Sequence, residues 1–438
     1  MDSRGLFALA VAAALFSTSA VQAQSTKRPQ PPPQVCIGAD CVASPTAPSG
    51  DALKFHPGFY PYFNYAGGTN MSKFNRDVQL INSLKPNDNV AGIAIAIMWR
   101  TIDTGTTGPN YDWSVIDAYL KALKGVNKRL WVRVQDAYYG NNASTANGRA
   151  VVPDWLIKKY GAQNVQVDYT HQPAPRGIAA KRYSAAVTNA YIAMFQAMAQ
   201  RYDSDPSFEG VTLFEETAYA IDTSGSSVTL ATPGADYSEK GMFDQLYALM
   251  AGVRDGTKGF KTSNVMVAGN YLFIRSDSAA NWTAVFTQIQ KYRMVLGGAD
   301  SFIASWVYPS LPTASAAQVS GPGTSNHSNP EYRRSIFSDE VYRGWWKGSS
   351  DWRGKILFGP DVEITDIGGY ITKNMNPIPT LADIWEVRGP KLDRSHYFFF
   401  DINWAPSGNY GTPAQQWSTA QYPWVKSAGS TNTTNPYQ

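Results

Sequence analysis

The chain of 438 residues has only two cysteines, Cys36 and Cys41, both near its beginning. Everything after them must fold without disulfides and offers no thiol as nucleophile. In an oxidising compartment the C-x4-C pair is placed to close one small loop. Charge is also scarce: Asp, Glu, Lys and Arg make up 16% of the chain and the net charge is only +4. No Lys/Arg run and no basic stretch interleaved with aromatics occurs, which argues against nucleic acid as a partner. The four histidines, at 56, 171, 327 and 396, are far apart and lack H-E-x-x-H spacing, so a zinc centre is not expected. G-x-S-x-G elbows, Asp-rich calcium loops and glycine-rich phosphate turns after a strand are all missing. No metal or organic cofactor is expected. After the first residues, no apolar run is long enough to span a bilayer.

Aromatic residues, by contrast, are plentiful at 13%, with 13 Trp and 25 Tyr. Most such rings belong in a core, but flat rings also stack on sugar faces, and low charge with many aromatics suits a secreted carbohydrate-active protein. The N-terminus reads as a signal peptide over 1–23. Arg4 precedes an apolar stretch at 5–16, and Val21, Gln22 and Ala23 form a small-residue cleavage site before Gln24. This predicts export, to the periplasm or outside the cell, with no membrane insertion after cleavage. Residues 24–51 are rich in Pro, Ser and Thr and predict a disordered arm; 427–438 predict a flexible tail. One domain, 52–426, lies between them, and nothing demands more than a monomer.

Within that domain strand and helix patterns alternate. Strands are predicted at 59–65, 90–98, 130–134, 208–216, 265–269, 294–297, 356–363 and 397–402. Helical spacing appears at 113–123, 183–202, 240–253, 282–292 and, weakly, 381–387. The run at 90–98 is apolar almost throughout, as in a strand buried on both faces. Eight strands interleaved with helices predict a (β/α)8 TIM barrel with long βα loops. The longest insertions, 136–182, 217–238 and 299–341, follow the third, fourth and sixth strands, where the active-site loops of a barrel belong.

Two strand ends carry carboxylates. The fourth strand runs into Glu215 and Glu216, and the seventh into Asp361 and Glu363. A charge at the end of a buried strand calls for a task. Glycoside hydrolysis needs two carboxyl groups, one protonated to donate to the leaving oxygen and one ionised. Alternation puts Thr212, Phe214 and Glu216 on one face of the fourth strand, and Leu357, Gly359, Asp361 and Glu363 on one face of the seventh. Which face is inward stays open, and so does the choice within Glu215/Glu216 and within Asp361/Glu363. Other strand-end groups are candidates for sugar binding: Trp99, Gln135, Asp136, Tyr138, Tyr139, Asn270, Tyr271, Asp300, Trp306 and Tyr308.

At this point the chain resembles the clan A glycoside hydrolases. The features that carry the likeness are Arg100 after the second strand, the opening Tyr111-Asp112-Trp113-Ser114 with Ile116 and Asp117, Glu216 after the fourth strand, and Trp404 after the eighth. The resemblance implies a (β/α)8 barrel with Glu216 as acid/base, Glu363 as nucleophile, Arg100 beside the nucleophile and Trp404 stacked on the sugar. In two places the chain departs from the pattern: Glu215 stands where Asn is usual, and the seventh strand ends Gly-Pro-Asp-Val-Glu. The function this predicts is cleavage of a poly- or oligosaccharide, probed against two alternatives: a non-catalytic saccharide-binding barrel, and a polysaccharide lyase.

Overall fold

The computed structural model describes residues 34–37, 40–43, 53–63, 69–138, 150–171, 174–214, 228–230, 237–269, 279–298, 350–362, 395–402, 417, 422–428 and 430–437. The elements, in chain order, are β1 (Gln34–Ile37), β2 (Asp40–Ala43), β3 (Gly58–Phe63), α1 (Met71–Ser83), β4 (Gly92–Met98), α2 (Trp99–Ile102), α3 (Ser114–Gly125), β5 (Arg129–Gln135), β6 (Ala137–Tyr138), α4 (Asp154–Tyr160) and α5 (Ala162–Val165). They continue with β7 (Gln166–His171), β8 (Ala174–Ala180), α6 (Ala185–Tyr202), β9 (Phe208–Thr212), β10 (Val228–Leu230), α7 (Glu239–Val253), β11 (Asn264–Ala268), α8 (Ala279–Lys291), β12 (Val295–Gly298), β13 (Leu357–Val362), β14 (Tyr397–Asp401) and α9 (Tyr422–Ser427).

Eight strands close into a barrel in the order β3-β4-β5-β9-β11-β12-β13-β14 and back to β3, each pair parallel. The (β/α)8 barrel expected from the alternation is therefore the fold, and each of the eight predicted strands supplies one stave. β4 shows how the sequence builds it. Ile93, Ile95 and Ile97 join the outer core beneath the helices, while Ala94 and Ala96 join the cluster that fills the lumen. The small alanines leave room for Trp131 on β5, whose ring centroid lies 5.1 Å from those of Tyr397 and Phe399 and 6.1 Å from that of Tyr60. Its indole N–H donates to Thr212 Oγ1 at 2.8 Å, which satisfies the polar edge of a fully buried ring. Gly297 makes similar room on β12: a Cβ there would sit 1.9 Å from the sulfur of Met266.

The outer helices bury one face each. On α3 that face is Val115, Ile116, Tyr119, Leu120 and Leu123, the spacing already visible in the sequence. α1 and α7 begin at Asn70 and Ser238, whose side chains accept from Lys73 N–H at 3.1 Å and Gly241 N–H at 3.0 Å.

Several expectations change. β9 stops at Thr212, short of the predicted 208–216. Thr212 faces the lumen against Trp131, but Phe214 packs in the outer core, so strict alternation ends there and does not carry an inward face on to residue 216. The segment 24–51, predicted as a disordered arm, carries the β1–β2 hairpin, whose register sets Cys36 opposite Cys41. The segment 427–438, predicted as a flexible tail, packs on the barrel floor. Arg293 donates to the Tyr437 carbonyl at 2.5 Å, Tyr437 Oη to the Met294 carbonyl at 2.6 Å, and Asn432 N–H to the Ser395 carbonyl at 3.1 Å. The physical reason is aromatic: the Tyr437 ring lies against the lumen-filling cluster, which needs a cover at its open lower end. The signal segment 1–23 and the weak helix at 381–387 lie outside the described residues. Among the described residues no helix is long and apolar enough to cross a membrane.

His396, just before β14, ties that strand to β13. Its Nδ1 accepts from Phe358 N–H at 3.0 Å, and the His396 backbone N–H donates to the Phe358 carbonyl at 2.9 Å. Burial lowers its pKa from 6.5 to about 4. The folded protein keeps the ring neutral while the unfolded chain binds a proton between those values, so this contribution is complete above about pH 6.5 and is lost as the pH falls towards 4. In urea unfolding, His396→Asn, which retains an acceptor, is expected to show a shallower loss of stability than the parent between pH 6.5 and 4.

Candidate active site

β5 reads Arg-Leu-Trp-Val-Arg-Val-Gln, an apolar strand interrupted by Arg133. Arg133 shares its parity with Trp131, so the guanidinium enters the lumen one layer above the indole. There its Nη2 donates to Asp361 Oδ2 on β13. β5 and β13 stand four strands apart whichever way the ring is followed, so the pair spans the barrel. Both side chains are buried, at 3% and 0% exposure. The guanidinium also lies over the Tyr62 ring, 4.2 Å from its centroid, adding a cation–π contact from β3. Two charges removed from water this completely are tolerated because each meets the other.

A second buried pair lies at the end of β5. Asp136, just after β5, receives Arg182 Nε at 2.7 Å and Arg182 Nη2 in a fork-on-fork geometry. The Arg182 guanidinium lies 4.3 Å from the centroid of Phe214, just beyond the end of β9. Phe214 and Arg182 also line a small apolar pocket with Val187, Tyr191, Met242 and Leu246, between α6 and α7. Tyr191 fastens the strand ends below: its hydroxyl lies 3.0 Å from the Val134 carbonyl and 2.6 Å from the Leu213 carbonyl.

The insertions after the third and fourth staves join in one structure. β6, β8, β7 and β10 form a four-stranded sheet in the order β10-β7-β8-β6, antiparallel throughout. β6 follows β5 almost at once, and β10 comes from the connection after β9. The insertions after β5 and β9 are therefore knitted together on the β5–β9 side.

Of the predicted site residues, the structure describes six: Asp361, Asp136, Trp99, Arg100, Gln135, buried at the end of β5, and Tyr138, half-buried on β6. Asp361 occupies the inward face of β13 at its C-terminal end, as alternation required of either Asp361 or its opposite neighbours. Asp136 is engaged by Arg182 through both oxygens. Trp99 is fully buried, its ring 4.6 Å from that of Tyr191, in the layer outside the barrel. Arg100, on α2, donates to Asp154 of α4 at 2.5 Å, with the two side chains 40% and 50% exposed. Among the described residues, the arginine that reaches a carboxylate of β13 is Arg133. Glu215, Glu216, Glu363, Asn270, Tyr271, Asp300, Trp306 and Trp404 lie outside the described residues, as do Tyr139 and Tyr308. Sequence reasoning passed over Arg133 and Arg182. The first had a signal, a charge at lumen parity within an apolar strand; the second had none, because its partner is 46 residues away.

No family model matches the sequence, and no curated protein matches it. Solved structures of glycoside hydrolases resemble it in outline. Endo-glycoceramidase II from Rhodococcus sp., in a cellobiose-like imidazole complex, is 10% identical with a TM-score of 0.46, covering 87% of this chain and 80% of that one. A GH5_18 variant from Streptomyces cattleya, in complex with Manb1-4GlcNAc, is 11% identical with a TM-score of 0.46, covering 86% and 83%. The beta-galactosidase from the psychrophilic Marinomonas ef1 is 12% identical with a TM-score of 0.43, covering 78% and 53%. At these values the likeness assigns neither a family nor an activity.

The cross-barrel pair has a measurable consequence. Arg133→Met removes the guanidinium that donates to the Asp361 carboxylate and is expected to destabilise the fold by about 3–5 kcal/mol in urea unfolding, whereas the double change Arg133→Met with Asp361→Leu is expected to recover part of that loss.

Proposed function

We propose that the protein is a glycoside hydrolase acting on a poly- or oligosaccharide, with Glu216 as general acid/base and Glu363 as nucleophile. The observation that carries the reading is the placement of β9 and β13 as the fourth and seventh staves of a closed parallel barrel, with Asp361 on the lumen face at the C-terminal end of β13. Active sites in such barrels gather at that end, and Glu216 and Glu363 follow these two strands in sequence. The reaction then runs in two steps. Glu216 protonates the glycosidic oxygen as that bond breaks, and Glu363 attacks the anomeric carbon to form a glycosyl-enzyme. Glu216, now ionised, takes a proton from water, which displaces Glu363 and returns it as a carboxylate.

Asp361 serves this scheme as a positioning residue. Its engagement with Arg133 anchors the end of β13 across the lumen, which supports Glu363 over Asp361 as nucleophile. Arg133 pairs with a carboxylate of β13, Asp361, while Arg100 pairs with Asp154. Asn270, Tyr271, Asp300, Trp306 and Trp404, all following staves, are the proposed sugar-binding groups, and export through the segment 1–23 places the enzyme outside the cytoplasm. A saccharide-binding barrel without turnover is the second reading. It is favoured by the neutralisation of two acids near the mouth, Asp136 and Asp361, each by an arginine.

The test is the release of reducing ends from a panel of polysaccharides. Glu216→Gln is expected to slow cleavage of sugars with poor leaving groups by about 10²–10⁴-fold while the melting temperature is kept. Aryl glycosides with good leaving groups should suffer less. Full activity in Glu216→Gln overturns the assignment, and saccharide binding by the parent without any turnover selects the second reading.

A further inference from the structure

At the opposite end of the barrel, Lys54 leads into β3, and its ammonium is held in a cage of oxygens. Nζ lies 2.8 Å from the Asp203 carbonyl, 2.7 Å from the Asp205 carbonyl, 2.7 Å from the Phe208 carbonyl and 2.9 Å from Ser263 Oγ. Three of the four ligands are main-chain carbonyls, two from the turn after α6 and one from Phe208, the first residue of β9. The fourth comes from the residue before β11. An ammonium has three N–H donors, so four acceptors at this range exceed what its hydrogen bonds need. Such a shell of neutral oxygens replaces the hydration of a monovalent ion, as carbonyl rings do in potassium-selective pores. The distances are longer than the 2.3–2.6 Å that calcium takes and the roughly 2.0–2.1 Å of magnesium.

The surroundings fit a single positive charge. Asp203, Glu209 and Asp205 lie near enough to favour the charged amine, against a burial that lowers its pKa from 10.5 to about 8. Their carboxylates are already occupied. Asp203 accepts the backbone N–H groups of Lys261, Thr262 and Ser263. Glu209 Oε2 lies 2.7 Å from His56 Nδ1, and its Oε1 accepts from His56 N–H and the Tyr397 hydroxyl. Asp205 takes Lys124 Nζ at 2.6 Å. They shape the potential without entering the cage. The Lys54 backbone is pinned as well: its N–H donates to the Thr262 carbonyl at 2.7 Å and its carbonyl accepts from Asn264 Nδ2 at 2.8 Å. The cage is thus formed by two segments, 203–208 and Ser263, that the barrel holds in place, and the side chain is only its occupant.

We propose that the turn at 203–208 with Ser263 is a monovalent-cation site of potassium or ammonium size, which the Lys54 ammonium fills from within the chain. The lysine gives the barrel floor the effect of a bound ion without dependence on the medium. Removal of the side chain converts the floor to a true ion site. The inference does not depend on what the protein cleaves or binds at its other end.

The experiment is thermal unfolding of the full chain and of Lys54→Ala at pH 7, in the chlorides of potassium, ammonium, sodium and choline at one ionic strength. The parent is expected to melt at the same temperature in all four. Lys54→Ala should melt lower in choline and recover several degrees in potassium or ammonium, rising with the logarithm of their concentration as binding to the folded state requires. Ser263→Ala added to Lys54→Ala should shift that recovery to higher cation concentration. Should Lys54→Ala not fold in choline, refolding from urea in the four salts replaces melting, and recovery confined to potassium or ammonium supports the site. An identical melting temperature for Lys54→Ala in all four salts, or failure to refold in every one, overturns the proposal.

Discussion

The structure depends on filling the inside of a closed ring of eight strands. A parallel barrel has no face that water can cover, so every inward side chain must be apolar and fitted, or charged and paired. Trp131 sets the scale of that interior. Alanines at 94 and 96 and glycines at 297 and 359 occupy lumen positions on other staves, and the aromatic rings of Tyr60, Tyr397 and Phe399 close around the indole. Large and small residues thus alternate around the ring, which is how a barrel reaches crystal-like packing without strain.

Buried polar groups separate by height, and each end of the barrel solves the burial problem differently. At the floor, Glu209, fully buried, is surrounded by donors from His56, Asn264 and Tyr397, and the Lys54 ammonium sits in carbonyls. These contacts bind the chain leading into β3 to the starts of β9, β11 and β14. At the mouth, Arg133 with Asp361 and Arg182 with Asp136 are discrete ion pairs, each backed by an aromatic ring. An ion pair across a lumen fixes two opposite strand ends relative to each other, and strand ends are what carry the proposed catalytic residues. Floor and mouth therefore divide stability and function in the way the fold usually does.

Much of this was legible from the chain alone. Apolar runs such as the one at 92–98 mark strands buried on both faces, and amphipathic spacing such as that of Val115 to Leu123 marks the helices between them. These signals are local, written within one stretch by the geometry of strand and helix. The four-stranded sheet above the β5–β9 side was not legible, since its strands come from two insertions and pair only once the barrel brings them together. The packing of Tyr437 on the floor was hidden for the same reason, behind a composition that suggested a loose end.

The sequence by itself determined the eight staves, their order with the intervening helices, and the carboxylates that follow the fourth and seventh. Periodicity and strand-end chemistry need no partner to be read. Only the tertiary structure decided which arginine meets which carboxylate. Arg100 and Arg133 both stand near strand ends in the sequence, yet ring closure turns Arg133 across the lumen to Asp361 and leaves Arg100 on α2 with Asp154. That choice is set by parity along β5 and by the half-turn of barrel between β5 and β13, a separation of 228 residues that no local pattern records.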